Sequence, residues 1–132
     1  MFERDYLLRV IDQIAQAVAR AMGLLLKKQP PEEAEQELAA GYGALGLDRE
    51  MLCLLDGPSI RSQCGHPDKL VAAVRLLLCD AQVQNARAET THARRLLRAA
   101  KKVAGQLERI EPELGAEIAA TERILAAPAA EG

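Results

Sequence analysis

The sequence predicts an all-α protein: about six helices in one domain spanning residues 1–127. Three observations carry that prediction. Ala (24) and Leu (20) make up a third of the 132 residues, whereas Val, Ile and Thr supply only 15. Ala and unbranched side chains lose little rotamer freedom in a helix, so this balance favours helix over sheet. Apolar residues recur at steps of three and four along both the N-terminal segment and the segment after Thr90. Proline and glycine punctuation then cuts the chain into pieces of helical length.

The first helix is expected over residues 3–28, stopping before Pro30-Pro31. Glu3 and Asp5 stand at its positive end, and Lys27 and Lys28 at its negative end. Leu7, Ile11, Ile14, Val18, Ala21 and Leu25 form a heptad seam, with Val10, Ala17 and Leu24 as a second row seven residues apart beside it. A face that wide needs cover on more than one side. The second helix opens with Pro31 and the acids Glu32, Glu33, Glu35 and Glu37, and ends near Gly46, a residue suited to a left-handed cap. Asp48 caps a short third helix over 49–55, which breaks at Asp56-Gly57-Pro58. Residues 59–65 read as a loop or a single helical turn. Asp68 is the expected cap of a fourth helix over 69–87, with Leu70, Val74, Leu77 and Ala81 on its buried stripe.

Thr90 or Thr91 caps a fifth helix running to about Ile110. Its wheel puts Ala93, Leu96, Leu97, Ala100, Val103, Ala104, Leu107 and Ile110 on one arc. Arg94, Arg95, Arg98, Lys101, Lys102 and Arg109 occupy the other. The fourth and fifth helices, joined around Ala88 and Glu89, form an antiparallel hairpin. A last helix starts at Glu111-Pro112 and fades at Pro128, and residues 128–132 are expected to be a disordered tail.

Ala81, Ala93 and Ala100, with Leu97 between the last two, stand at the small- and large-residue intervals of a tetratricopeptide unit, which the hairpin resembles. Gln84 stands where that motif has an aromatic, and no proline closes the unit. The opening Met1-Phe2-Glu3-Arg4-Asp5-Tyr6-Leu7-Leu8-Arg9-Val10-Ile11 and the joint Leu45-Gly46-Leu47-Asp48 resemble an uncharacterised bacterial family of small helical proteins with such a hairpin. That resemblance covers roughly residues 1–105. It implies tetratricopeptide-like antiparallel hairpins behind a long N-terminal helix, and it carries over no catalytic residue.

Composition narrows the function classes. A chain 27% charged and 49% apolar is that of a folded globular protein. Its longest uncharged run, residues 38–47, is about half of what a membrane span requires. The N-terminus mixes acids with bases and leads into no apolar signal core, so a cytoplasmic location is expected. Gly41-Tyr42-Gly43-Ala44-Leu45-Gly46 spells G-x-G-x-x-G, but it ends a Glu-rich helix instead of following a strand and opening one. It is expected to serve close packing, and no cofactor is expected. Cys53, Cys64 and Cys79, with His66 and His92, lack the paired spacing of zinc ligands; Cys64-Gly65-His66 is the nearest approach. The cysteines read as free thiols, and no metal is expected. Ser59 and Ser62 lie in no nucleophile elbow, so no catalytic residue is assigned.

The expected function is therefore a non-catalytic helical module that contacts proteins, its own copies included. Leu7, Val10, Ile14, Ala17 and Leu24 of the first helix are the candidate self-association residues. The alternative is a module for an anionic partner, using Arg94, Arg95, Arg98, Lys101 and Lys102. Residues 69–102 carry a net charge of +6 and residues 103–132 one of −4. With no aromatics among those bases and an overall charge of −2, nucleic acid is not the expected partner.

Overall fold

A computed structural model describes residues 2–127. It is all-helical, with seven helices among the described residues: α1 (Phe2–Leu26), α2 (Pro31–Leu45), α3 (Arg49–Leu54), α4 (Gly57–Cys64), α5 (Pro67–Ala86), α6 (Thr90–Ala104) and α7 (Pro112–Ala126). None of the described helices is long and apolar enough to cross a membrane. The expected tail at 128–132 lies outside the described residues.

The additional helix is α4, where a loop or single turn was expected. Asp56 supplies the reason: its carboxylate accepts the Ser59 N–H at 2.7 Å, and Pro58 sits in the first turn, where a missing N–H costs nothing. Asp48 caps α3 in the same way, accepting the Met51 N–H at 2.8 Å. Two expected caps move. His66 rather than Asp68 caps α5, its Nδ1 accepting the Asp68 N–H at 3.0 Å. At the start of α6, Glu89 holds the cap position without a side-chain bond, ahead of Thr90 and Thr91. The first helix stops at Leu26 and Lys28 takes a left-handed φ of 57°. The fifth predicted helix stops at Ala104, six residues early, so Leu107 is only half-buried and Ile110 is exposed.

Helix α5 is the centre of the molecule. It packs against α1, α2, α4, α6 and α7 and is buried almost all round from Ala72 to Gln84. A helix surrounded in this way shows little amphipathic pattern, and its sequence stripe of Leu70, Val74, Leu77 and Ala81 is one part of a larger buried surface. It pairs with α6 in one antiparallel hairpin, and the α1–α2 hairpin packs against it. Small residues set their spacing. Ala81, Ala93 and Ala100 are fully buried in α5–α6, and Ala21 and Ala34 in α1–α2. A Cβ on Gly41 would lie 2.8 Å from Leu76 Cδ1 and 3.2 Å from Ala17 Cβ, so glycine is what lets α2 approach both neighbours.

Candidate functional site

Two features stand out on this frame: a buried polar clasp and an open apolar groove. The clasp joins α2, α3 and α5. Helix α2 offers Glu35 and, two turns later, Tyr42, and then closes on Gly46 at φ 83°. The Asp48 cap fixes Arg49 as the first residue of α3, aiming its guanidinium at α5. There Asp80, fully buried, accepts Arg49 Nε at 2.7 Å and Arg49 Nη2 at 3.0 Å, a two-point grip. It also accepts the Tyr42 hydroxyl at 2.5 Å and Gln84 Nε2 at 3.0 Å. Arg49 Nη2 donates onward to Glu35 at 2.6 Å, and Arg87, at the end of α5, donates to the other Glu35 oxygen. The Arg49 guanidinium lies 5.8 Å from the Tyr42 ring centre.

Charge and hydrogen bonding balance within this cluster. Two carboxylates face two guanidinium groups, so the fully buried Asp80 charge is paired while Glu35, Arg49 and Arg87 stay partly in contact with water. Burial would raise the Glu35 carboxyl, but hydrogen bonding and charge from Arg49, together with Gln84 and Arg87, outweigh it and hold the carboxyl below its ordinary range. Burial and the neighbouring Asp80 charge push the Tyr42 hydroxyl well up, so it stays a donor. Burial opposes the Arg49 charge and the two carboxylates overcome it, raising the guanidinium further. Bound to one another in this way, these side chains tie three helices together.

The groove lies on the other side of α5, between it and α1. About 370 Å³ in size, it is walled by Leu8, Ile11, Ala15, Val18 and Ala19 of α1 and by Val71 and Ala72 of α5. Asp68 and Arg75 are its charged wall residues. Leu8 is 53% exposed at one end. Arg75 is steadied by Glu117 of α7, with Nη2 to Oε2 at 2.9 Å.

The candidate self-association residues divide. Val10, Ile14 and Ala17 are buried in the chain's own core, and Leu24 packs against it half-buried; only Leu7 stays near the surface, also half-buried. The second row of α1 is therefore not the free face that was expected. Helices α2 and α5 cover it, and the uncovered edge lies about half a turn away, at Leu8, Ala15 and Ala19. The candidate anion-binding residues divide too. Arg94 and Arg98 are exposed with no ion pair among the described residues. Lys101 Nζ meets Glu122 at 2.7 Å, Arg95 meets Glu50 at 3.0 Å, and Lys102 donates to the Cys53 carbonyl at 3.1 Å. Their partners thus lie on α3 and α7.

The cysteines fall on three helices, Cys53 on α3, Cys64 on α4 and Cys79 on α5, all as free thiols. Burial raises each of them, Cys79 to about 12 with help from Asp80. Such thiols are poor nucleophiles. Comparison of the chain with protein-family models, curated proteins and solved structures finds no match.

Proposed function

We propose that this protein is a non-catalytic interaction module that seats an amphipathic helix of a protein partner in the groove between α1 and α5. The observation that carries the reading is the groove itself. Its walls are aliphatic, it runs along two helices, and Leu8 stands half out of it. Helix-in-groove recognition uses this kind of surface, with apolar anchors spaced three and four residues apart. The polar groups that could serve chemistry are meanwhile bound to one another in the clasp.

The test is a photo-crosslinking amino acid placed at Ala15, on the groove, and separately at Arg98, on the exposed face of α6, in cells making the protein. A discrete adduct from position 15 and none from position 98 is the expected result. Absence of any adduct from position 15 would overturn the reading.

A further inference from the structure

We infer that His66 is a proton-operated switch at the joint between α4 and α5. Neutral, its ring caps α5 by accepting the Asp68 N–H; protonated, it gives up that bond and donates to the Asp68 carboxylate. The switch does not depend on what fills the groove.

Side chains cap three of the described helices: Asp48 on α3, Asp56 on α4 and His66 on α5. A carboxylate is protonated only near about pH 4. An imidazole takes up its proton between about pH 8 and about pH 5, and both ring nitrogens then carry hydrogen. His66 Nδ1 lies 3.0 Å from the Asp68 amide nitrogen, and only an unprotonated Nδ1 can accept that N–H. Of the three caps, the one on the central helix is therefore the one that mild acid removes.

Asp68 also supplies the second position of the switch. Its Oδ2 stands 3.8 Å from the same Nδ1. A small turn of the protonated ring moves Nδ1–H from the Asp68 backbone to the Asp68 carboxylate. The two side chains are 46% and 63% exposed, so the proton comes directly from water and the ring has room to turn. The surrounding backbone stays tied. Lys69 and Leu70 donate to the His66 carbonyl at 3.1 and 3.2 Å, and Gly65 donates to that of Arg61 at 3.0 Å. Protonation thus frees one donor, the Asp68 N–H, without undoing the joint.

The charges around the imidazole come from four parts of the fold. Glu3 and Arg4 of α1 share one cavity with it and with Asp68; Arg61 of α4 and Glu108 and Arg109, beyond α6, share another. Lys69 lines neither. Acids and bases are equal in number, so the contact with Asp68 decides which way the ring turns. Asp68 is also the acidic wall residue of the groove, and the protonated ring pairs off its charge.

An NMR titration of the isotopically labelled full chain from about pH 8 to about pH 5.5 tests the inference. At the upper end the ring nitrogens should report hydrogen on Nε2 and none on Nδ1. As pH falls, the Asp68 amide and carboxylate carbon should shift along the same curve as the His66 ring. Exchange of that amide with water, referred to its intrinsic rate, should quicken roughly fivefold, the loss of one cap bond. His66→Asn installs a favoured cap that does not titrate, and should hold both Asp68 signals and the exchange constant over this range. Hydrogen on Nδ1 at the upper end would overturn the inference. So would Asp68 signals that stay still while the ring titrates, or that titrate equally in His66→Asn.

Discussion

Replacing Arg49 by Gln probes the clasp at its centre. The change leaves the Asp80 carboxylate, fully buried, with only Tyr42 and Gln84 as donors, and it releases Glu35 from α3. Removing one partner of a buried ion pair costs about 3–5 kcal/mol, because the remaining charge stays out of water. Arg49 is itself 27% exposed, which admits some solvent to the gap and sets the expectation near about 3 kcal/mol. A domain of this length unfolds with an entropy of about 0.28 kcal/mol/K, so Tm should fall by roughly 10 °C. Asp80→Asn added to Arg49→Gln removes the stranded charge and should recover at least about 1 kcal/mol of the loss. Thermal and urea denaturation of the two single variants and the double variant close the cycle. A loss for Arg49→Gln under about 1 kcal/mol, or strict additivity, would refute the claim that these charges depend on one another.

Three further outcomes follow from single contacts. Glu35 has a folded-state pKa held below its unfolded value, so its stabilisation is present above pH of about 4.5 and is lost as pH falls through the depressed value. Glu35→Gln should flatten that acid limb in pH-dependent melting; an unchanged slope would count against it. Gly41→Ala and Gly43→Ala should diverge: the first sets a Cβ 2.8 Å from Leu76 and should cost about 1–2 kcal/mol net, while the second meets nothing within 4 Å and should stabilise by about 0.5–1 kcal/mol in denaturant titrations. Joint replacement of Arg94, Arg98 and Lys101 by Gln should change stability by less than about 1 kcal/mol, since Lys101–Glu122 is a surface pair; a larger fall in Tm would place them in an internal network.

Amphipathic periodicity made α1 and α6 legible in the sequence, and the breakers Pro30, Gly46, Asp56 and Pro112 marked real element ends. The ending of α6 was not legible, because Leu107 and Ile110 continue the apolar arc past the last helical residue; hydrophobic spacing says which face is apolar, not where the backbone turns. The central place of α5 was hidden by its near-uniform burial, which leaves no polar face to read. The clasp was hidden by sequence distance: Asp80 is 31 residues from Arg49 and 38 from Tyr42. One signal was present, an acid isolated between Cys79 and Ala81 in a long apolar helix, where an ionised side chain must find a cation. On α1 the sequence showed two apolar rows needing cover, but which row the chain covers itself depends on where α2 and α5 land.

The central claim is that the α1–α5 groove is the working surface and that a helix fills it. Photo-crosslinking in cells from Leu8, Ala15 and Ala19, compared with Arg94 and Arg98, tests it most directly. The account predicts an adduct of one mass from the three groove positions and none from the two positions on α6. Adducts from α6 alone, or none from the groove, would contradict it.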